Sequence, residues 1–286
     1  MRYEAPSSLD QAVALLAAES GDARVLAGGT DLLVQLRTDL IEPVLVVDIK
    51  GIAETRQIKE EAGGFRVGAA VTGAELKEHP KLKAVWPGIV EAANLIGSTQ
   101  VQGRATMGGN LCNGSPAADS VPGLIAAGAK ASIVGPKGRR ELAVEDVMLA
   151  PRKLALTKGE IVASFLLPAK PARTADAYLR FIPRTEMDIA VVGCGVCLTL
   201  DAGGTCTAAR VSLGAVAPRP LLVADAAKAL IGTRVDAAAL QKLDAAARAA
   251  CQPIDDKRST KDYRIKVAGV LARRAAEIAL ERARKA

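Results

Sequence analysis

The residues of this chain best suited to hold a ligand are glycines. The stretches "LAGGTDLL" at 26–33 and "TMGGNLCNGS" at 106–115 each set a Gly–Gly pair beside hydroxyl or carboxyl side chains. A glycine-rich turn can aim successive backbone N–H groups at one point and lets the main chain approach a ligand closely, which suits phosphate. Two such turns could grip the two phosphates of a dinucleotide. Each could equally be an ordinary turn, since neither matches G-x-G-x-x-G or G-x-x-x-x-G-K-[ST]. Thr30 and Asp31 follow Gly28–Gly29 where a helix can start, Thr106 and Asn110 bracket Gly108–Gly109, and Asp119 follows Ser115–Pro116. A carboxylate in that place accepts hydrogen bonds from sugar hydroxyls or caps the next helix. For Asp119 both readings stay open.

Other reactive side chains are few. Cys194 and Cys197 form a single C-x-x-C inside "VVGCGVCLTL", with no second pair and the one histidine, His79, far away in sequence. That pattern reads as packing in a buried strand and not as a metal site. Cys112 sits inside the second glycine stretch with nothing nearby to make it a thiolate. His79 precedes Pro80 outside both stretches and reads as a turn or surface residue. No constellation of histidine, tyrosine and carboxylate suggests general acid–base chemistry in this chain.

Periodic segments position these residues. "SSLDQAVALLAAES" has helical spacing with serines to cap it, "ARVLAGG" and "PVLVVDIK" read as strands, and "LLVQLRTDL" reads as a helix between them. This makes a first lobe at 1–55. A second, at 56–170, opens with a hairpin through Gly63–Gly64. Helical stretches around 73–78 and 84–96 follow, then the second glycine loop, a short helix in "DSVPGLIAAGA", a hairpin at Pro136–Lys137–Gly138, and a strand ending at Pro168. The proline-bearing "PAKPART" marks a boundary to 171–286. There an "AYLR" strand and a strand pair turning at Gly203–Gly204 precede helices at about 219–230, 236–250 and 261–284. Aromatic residues make up only 2%, and the net charge of +7 is scattered. A nucleic-acid partner, which wants stacking rings beside a basic face, is therefore not expected. No run reaches the ~18 apolar residues of a membrane span. The start lacks the pattern of a signal peptide, and five cysteines without a regular framework suggest a reducing compartment, so the reading is cytoplasmic.

Taken together, "LAGGTDLLVQLR", "NLIGSTQVQGRATMGGNLCNGSPAADSVPGLIAAGA" and the later "YLRFIPRTEMDIAVVG" resemble the flavin-binding (medium) subunit of the molybdenum hydroxylase family. That family includes the carbon monoxide dehydrogenase medium subunit and the FAD domain of xanthine dehydrogenase. The resemblance spans nearly the whole chain. It implies an α+β class, with a two-lobed FAD-binding fold of the vanillyl-alcohol oxidase type and a C-terminal α+β domain of antiparallel sheet plus helices. It implies non-covalent FAD, with Gly28, Gly29 and Thr30 along the pyrophosphate and Val25 and Leu32 packed beside the cofactor. Ala27, Asp31 and Ile161 join the same set. Thr106, Gly108, Gly109 and Asn110 would form the other half of the cradle, and Asp119 would hold ribityl or nearby hydroxyls. Ile96 and Gly97 fall near the flavin ring, and Arg180 falls where some members have lysine.

The resemblance further implies an electron-transfer role without catalytic residues of its own. The molybdenum cofactor would sit on a large partner subunit and two [2Fe–2S] clusters on a small one, in a dimer of heterotrimers serving an external electron acceptor. The four-cysteine insertion of the benzoyl-CoA branch is replaced here by "CNGSPAADS", so no cluster is expected within the chain. The segment 181–187, "FIPRTEM", would screen one side of the flavin, or else serve as a plain surface connection. The alternative function is a free-standing FAD-dependent oxidoreductase with its own substrate pocket.

Overall fold

Three separate sheets organise the chain, and the computed structural model describes all of residues 1–286. The first is parallel: β1 (Arg2–Glu4), α1 (Leu9–Ala18), β2 (Ala23–Leu26), α2 (Leu32–Arg37) and β3 (Leu45–Asp48), with strand order β1-β3-β2. The central strand, "LVVD", is buried along its whole length, as its β-branched residues favour. Helix α1 starts at Ser8, whose hydroxyl accepts from Gln11 N–H, and buries Leu9, Ala12, Val13 and Leu16 at helical spacing. Helix α2 buries none of its residues. The core under this small sheet also takes in Val134, Ile161 and Ala163 from the next sheet, so the two lobes share packing.

A 3₁₀ turn (Ala53–Arg56) leads into an antiparallel sheet. Its first hairpin is β4 (Ile58–Glu61) and β5 (Gly64–Gly68), turning at Ala62–Gly63. Helices α3 (Gly73–Glu78), α4 (Pro80–Val85), α5 (Pro87–Ala93), α6 (Thr99–Gln102), α7 (Met107–Cys112) and α8 (Ser120–Ala126) follow. Strands β6 (Lys130–Gly135) and β7 (Gly138–Ala143), helix α9 (Val144–Val147), the short pair β8 (Met148–Ala150) and β9 (Lys153–Leu154), and β10 (Ile161–Leu167) complete it in the order β4-β5-β10-β6-β7, with β8 and β9 paired apart. The single helix expected at 84–96 is two. Pro87 has no N–H to continue α4, so it begins α5 instead, and Trp86 between them is buried.

The third sheet is antiparallel, β11 (Thr174–Phe181), β12 (Val192–Leu200), β13 (Cys206–Gly214) and β14 (Leu221–Leu222), packed by α10 (Ala224–Lys228), α11 (Ala237–Ala249) and α12 (Lys261–Lys285). The helix expected at 219–230 begins later, at Ala224. Leu221 and Leu222 follow Pro220 and pair instead with Leu213 and Ser212 on the edge of β13. Helix α12 lays an alanine stripe (Ala268, Ala272, Ala275, Ala279) on the sheet, small side chains that let helix and strands approach closely. Its last turn is clasped to the second lobe. Arg282 pairs with both carboxylate oxygens of Glu91 and donates to the Asp176 carbonyl at 2.8 Å. Asp176 in turn takes Lys170 Nζ at 3.0 Å and the Ile89 N–H at 3.2 Å, while Lys170 lies 4.6 Å above the Trp86 ring.

Candidate functional site

Between the first two lobes lies a cavity of about 400 Å³. Its walls are the turn from β2 into α2, helix α7, the β8–β9 turn and the start of β10. The two glycine stretches meet here, for different reasons at each glycine. A Cβ on Gly28 would lie 2.1 Å from the Arg104 carbonyl oxygen, so only glycine lets the two walls touch. Gly29 has φ +82, a conformation glycine adopts freely. Gly108 is pressed onto Ala69, where a Cβ would meet the carbonyl oxygen at 2.5 Å. Gly109 differs: its nearest neighbour would be Thr106 Oγ1 at 3.1 Å, and the glycine itself lines the cavity, leaving one side bare to a ligand.

The donors match this shape. The N–H groups of Gly28, Gly29, Thr30 and Asp31 find no backbone acceptor in the protein. Unspent donors in a concave wall suit an anion. The second stretch is not a loop, as its glycines suggested, but the short helix α7. Thr106 caps it by accepting from Gly109 N–H at 2.9 Å, and Gly109 has no positive φ. Asn110 Oδ1 accepts from Ser120 N–H and hydroxyl at 3.0 and 2.7 Å, which leaves the amide donors of Asn110 for the cavity. Asn113 Oδ1 accepts from Gln35 Nε2 at 3.1 Å and so ties α7 to α2 across the cavity's end. Val25, Ala27, Leu32, Ile96 and Ile161 supply apolar wall beside these polar groups. Unpaired backbone donors, a bare glycine flank and apolar walls in one cleft fit a dinucleotide such as FAD.

Three expected site residues stand just outside the cavity wall: Gly97, Asp119 and Arg180. Asp119 does not cap α8; its side chain accepts no helix N–H. It faces Arg180 instead, Oδ2 to Nη1 at 2.9 Å, with Tyr178 Oη 3.4 Å from Oδ1. Arg180 Nη1 also donates to the Leu95 carbonyl, next to the cavity residue Ile96. Burial pushes the Asp119 carboxyl up to about 6, although the Arg180 charge and the hydrogen bonds of Arg180 and Tyr178 pull the other way. The segment 181–187 runs from β11 toward this corner, and Met187 N–H donates to the Gly97 carbonyl at 3.4 Å.

Sequence reasoning missed several wall residues. Glu160 lines the cavity with its carboxylate held by Arg140 at 2.7 and 2.8 Å, which lowers it to about 2. Arg152 and Leu154 enter from the β8–β9 pair and Leu156 from just after it, a stretch that carries no glycine signature. Cys112 also lines the cleft and is exposed to it, with no charged group beside it to favour a thiolate. Cys194 and Cys197 lie in β12, with thiols raised to about 12 by burial. His79 caps α4, its Nδ1 accepting from Leu82 N–H at 3.1 Å, and packs edge-on against Phe65.

Comparison with known proteins bears on this geometry. The family described as FAD binding domain in molybdopterin dehydrogenase matches residues 1–170, and the CO dehydrogenase flavoprotein C-terminal domain matches 177–279. The chain is 36% identical over 282 residues to the carbon monoxide dehydrogenase medium chain of Afipia carboxidovorans, covering 99% of this chain and 97% of that one. It is 32% identical over 268 residues to the xanthine dehydrogenase FAD-binding subunit of Escherichia coli O157:H7, covering 92% and 90%. The fold superposes on a chain of reconstituted CO dehydrogenase from Oligotropha carboxidovorans with a TM-score of 0.94, at 36% identity and coverage of 99% and 98%. For quinoline 2-oxidoreductase from Pseudomonas putida 86 the TM-score is 0.90, at 29% identity and coverage of 99% and 98%.

Proposed function

The chain belongs to the flavoprotein family of the molybdopterin dehydrogenases, and from that membership we propose that it is the electron-transfer subunit of a multi-subunit molybdenum hydroxylase. In this reading it works with a large subunit carrying the molybdenum cofactor and a small subunit carrying [2Fe–2S] clusters, in a dimer of heterotrimers, and it serves an external acceptor. The observation that carries it is the meeting of two glycine-bearing segments from separate sheets on one cavity, with unspent backbone donors and a bare Gly109 flank. Bound FAD supplies the exchange between single electrons and electron pairs.

The protein's part is to bind and orient. Gly28 to Thr30 and Asn110 offer donors to the pyrophosphate, while Val25, Leu32 and Ile96 keep water from the cofactor's flat surfaces. Asp119 and Arg180 form a buried charged pair beside Ile96, and we assign them to the flavin end of the cleft. Of the cavity's carboxylates, Glu160 is locked by Arg140 and Asp31 is raised by burial. No helix is long and apolar enough to cross a membrane. All five cysteines are free thiols, in keeping with a reducing cytoplasm.

The test is co-purification. The tagged chain should bring down FAD, molybdenum and iron with two further subunits, and acid should release the flavin into solution. Substrate oxidation by the lone flavin-loaded chain would favour the free-standing enzyme instead.

A further inference from the structure

Arg152 lines the cavity with φ +60, a left-handed conformation that a residue bearing a Cβ adopts only at an energetic cost. The other non-glycine residues of positive φ, at Asp39, Ala62, Arg173, Met187, Ala215 and Val235, do not line it. The residue stands at the third position of the turn Ala150–Pro151–Arg152–Lys153, which joins β8 to β9. With proline second, such a turn ordinarily takes glycine or asparagine third. Here an arginine is kept there, and the surroundings hold it in place. Its N–H donates to the Gly114 carbonyl at 2.8 Å. Gly114 itself has φ +65, and a Cβ there would lie 2.8 Å from the Arg152 Cα, so the turn is pressed against the end of α7.

The side chain, unlike the backbone, is uncommitted. The cavity's charged residues are Arg24, Asp31, Arg152 and Glu160. Arg24 is paired with Asp22 at 3.0 Å, and Glu160 with Arg140. Burial raises the Asp31 carboxyl and so disfavours its negative form. Arg152 makes no ion pair, is exposed to the cleft, and is thus the one free cation of the wall. Strain retained at a cavity wall, together with a cation left without a protein partner, indicates a ligand of opposite charge.

We propose that Arg152 is a cofactor-binding residue whose guanidinium neutralises the diphosphate of FAD. The inference rests on the assignment of this cavity to FAD.

The experiment uses the full chain freed of flavin, with R152G and R152K variants. Glycine accepts φ +60 without strain, so R152G removes the charge while leaving the turn its preferred shape, and its melting temperature should equal or exceed that of the wild type. FAD dissociation constants come from the quenching of flavin fluorescence, and ADP and riboflavin serve as competitors with and without the diphosphate. R152G should weaken FAD and ADP alike by on the order of 10- to 100-fold, leave riboflavin unchanged, and show a shallower salt dependence, while R152K recovers part of the loss. An FAD affinity within about twofold of wild type, or an equal loss for riboflavin, would overturn the proposal. A wild-type chain that binds neither FAD nor ADP would overturn the cofactor assignment along with it, an outcome distinct from failure of the Arg152 variants alone.

Discussion

Gly28 and Gly109 have the same residue type and the same cavity, yet alanine at each should do opposite things to the empty protein. At Gly28 the new Cβ would lie 2.1 Å from the Arg104 carbonyl oxygen, and the next atoms are also backbone. A contact of that kind has no flexible end to yield, so the two walls must part by roughly 1 Å, at a cost of about 1–3 kcal/mol. At Gly109 the nearest atom is a hydroxyl at 3.1 Å, the residue sits inside α7, and its φ is not positive. Alanine in a helix is better than glycine by about 0.5–1 kcal/mol. Scanning calorimetry of the flavin-free chains should therefore show G28A melting lower, by about 2–4 °C per kcal/mol, and G109A melting at or above the wild type. Fluorescence titration should then show G109A weakening FAD by at least about tenfold, or 1.4 kcal/mol, because the methyl group occupies the flank left bare for the ligand. FAD affinity unchanged in G109A would show that this flank does not face the cofactor. A stable G28A would refute the claim that glycine is what allows the walls to touch.

Other outcomes follow from the charged groups. Replacing Asp119 with alanine leaves the Arg180 guanidinium, only 3% exposed, without its partner, and should cost about 3–5 kcal/mol in urea denaturation, with D119N costing less. Because the folded Asp119 carboxyl titrates near 6 against an ordinary 3.8, its contribution to stability is fully present below about pH 4 and is lost as pH rises through 6. The difference between wild type and D119N should change across that window, and a flat difference would contradict it. Glu160 has the opposite sign: its contribution holds above its ordinary 4.5 and is lost as pH falls toward 2, so E160Q should differ most from wild type near neutrality and least in strong acid. In the assembled complex, alanine at both Arg184 and Glu186 should change the rates of flavin reoxidation among acceptors without slowing flavin reduction. Identical rates with every acceptor would make 181–187 a plain connection.

Local chemistry made some of this legible in the sequence and hid the rest. The hairpins at Gly63, at Pro136–Gly138 and at Gly203–Gly204 formed where turn residues separate apolar runs, because turn geometry depends on a few adjacent residues. The glycine stretches announced the cleft for the same reason. What escaped was either non-local or masked. The Asp119–Arg180 pair joins residues 61 apart, and no local pattern marks either one as buried. Helix α7 was hidden by the low helix propensity of its own Gly108–Gly109, which the Thr106 cap and close packing on Ala69 override. Arg152 gave no signal, since its meaning lies in a backbone angle that its residue type argues against.

The clasp between Arg282 and Glu91 also has a meaning in time. The two residues are 191 positions apart, so at the usual 5–20 residues per second a ribosome adds Arg282 about 10–40 s after Glu91. For the last 106 residues of that interval the strand carrying Asp176 and the helix carrying Glu91 have both been made, but the turn that locks them together has not. The clasp is thus the last link across the seam between the second lobe and the last sheet, made after the residues of the Ile89–Asp176 and Asp119–Arg180 links are all in place. A stop codon a few residues early would remove the clasp while sparing every residue around the cavity, and a growing chain that stalls near its end would carry the residues of the cofactor cleft beside a seam that lacks only this last link.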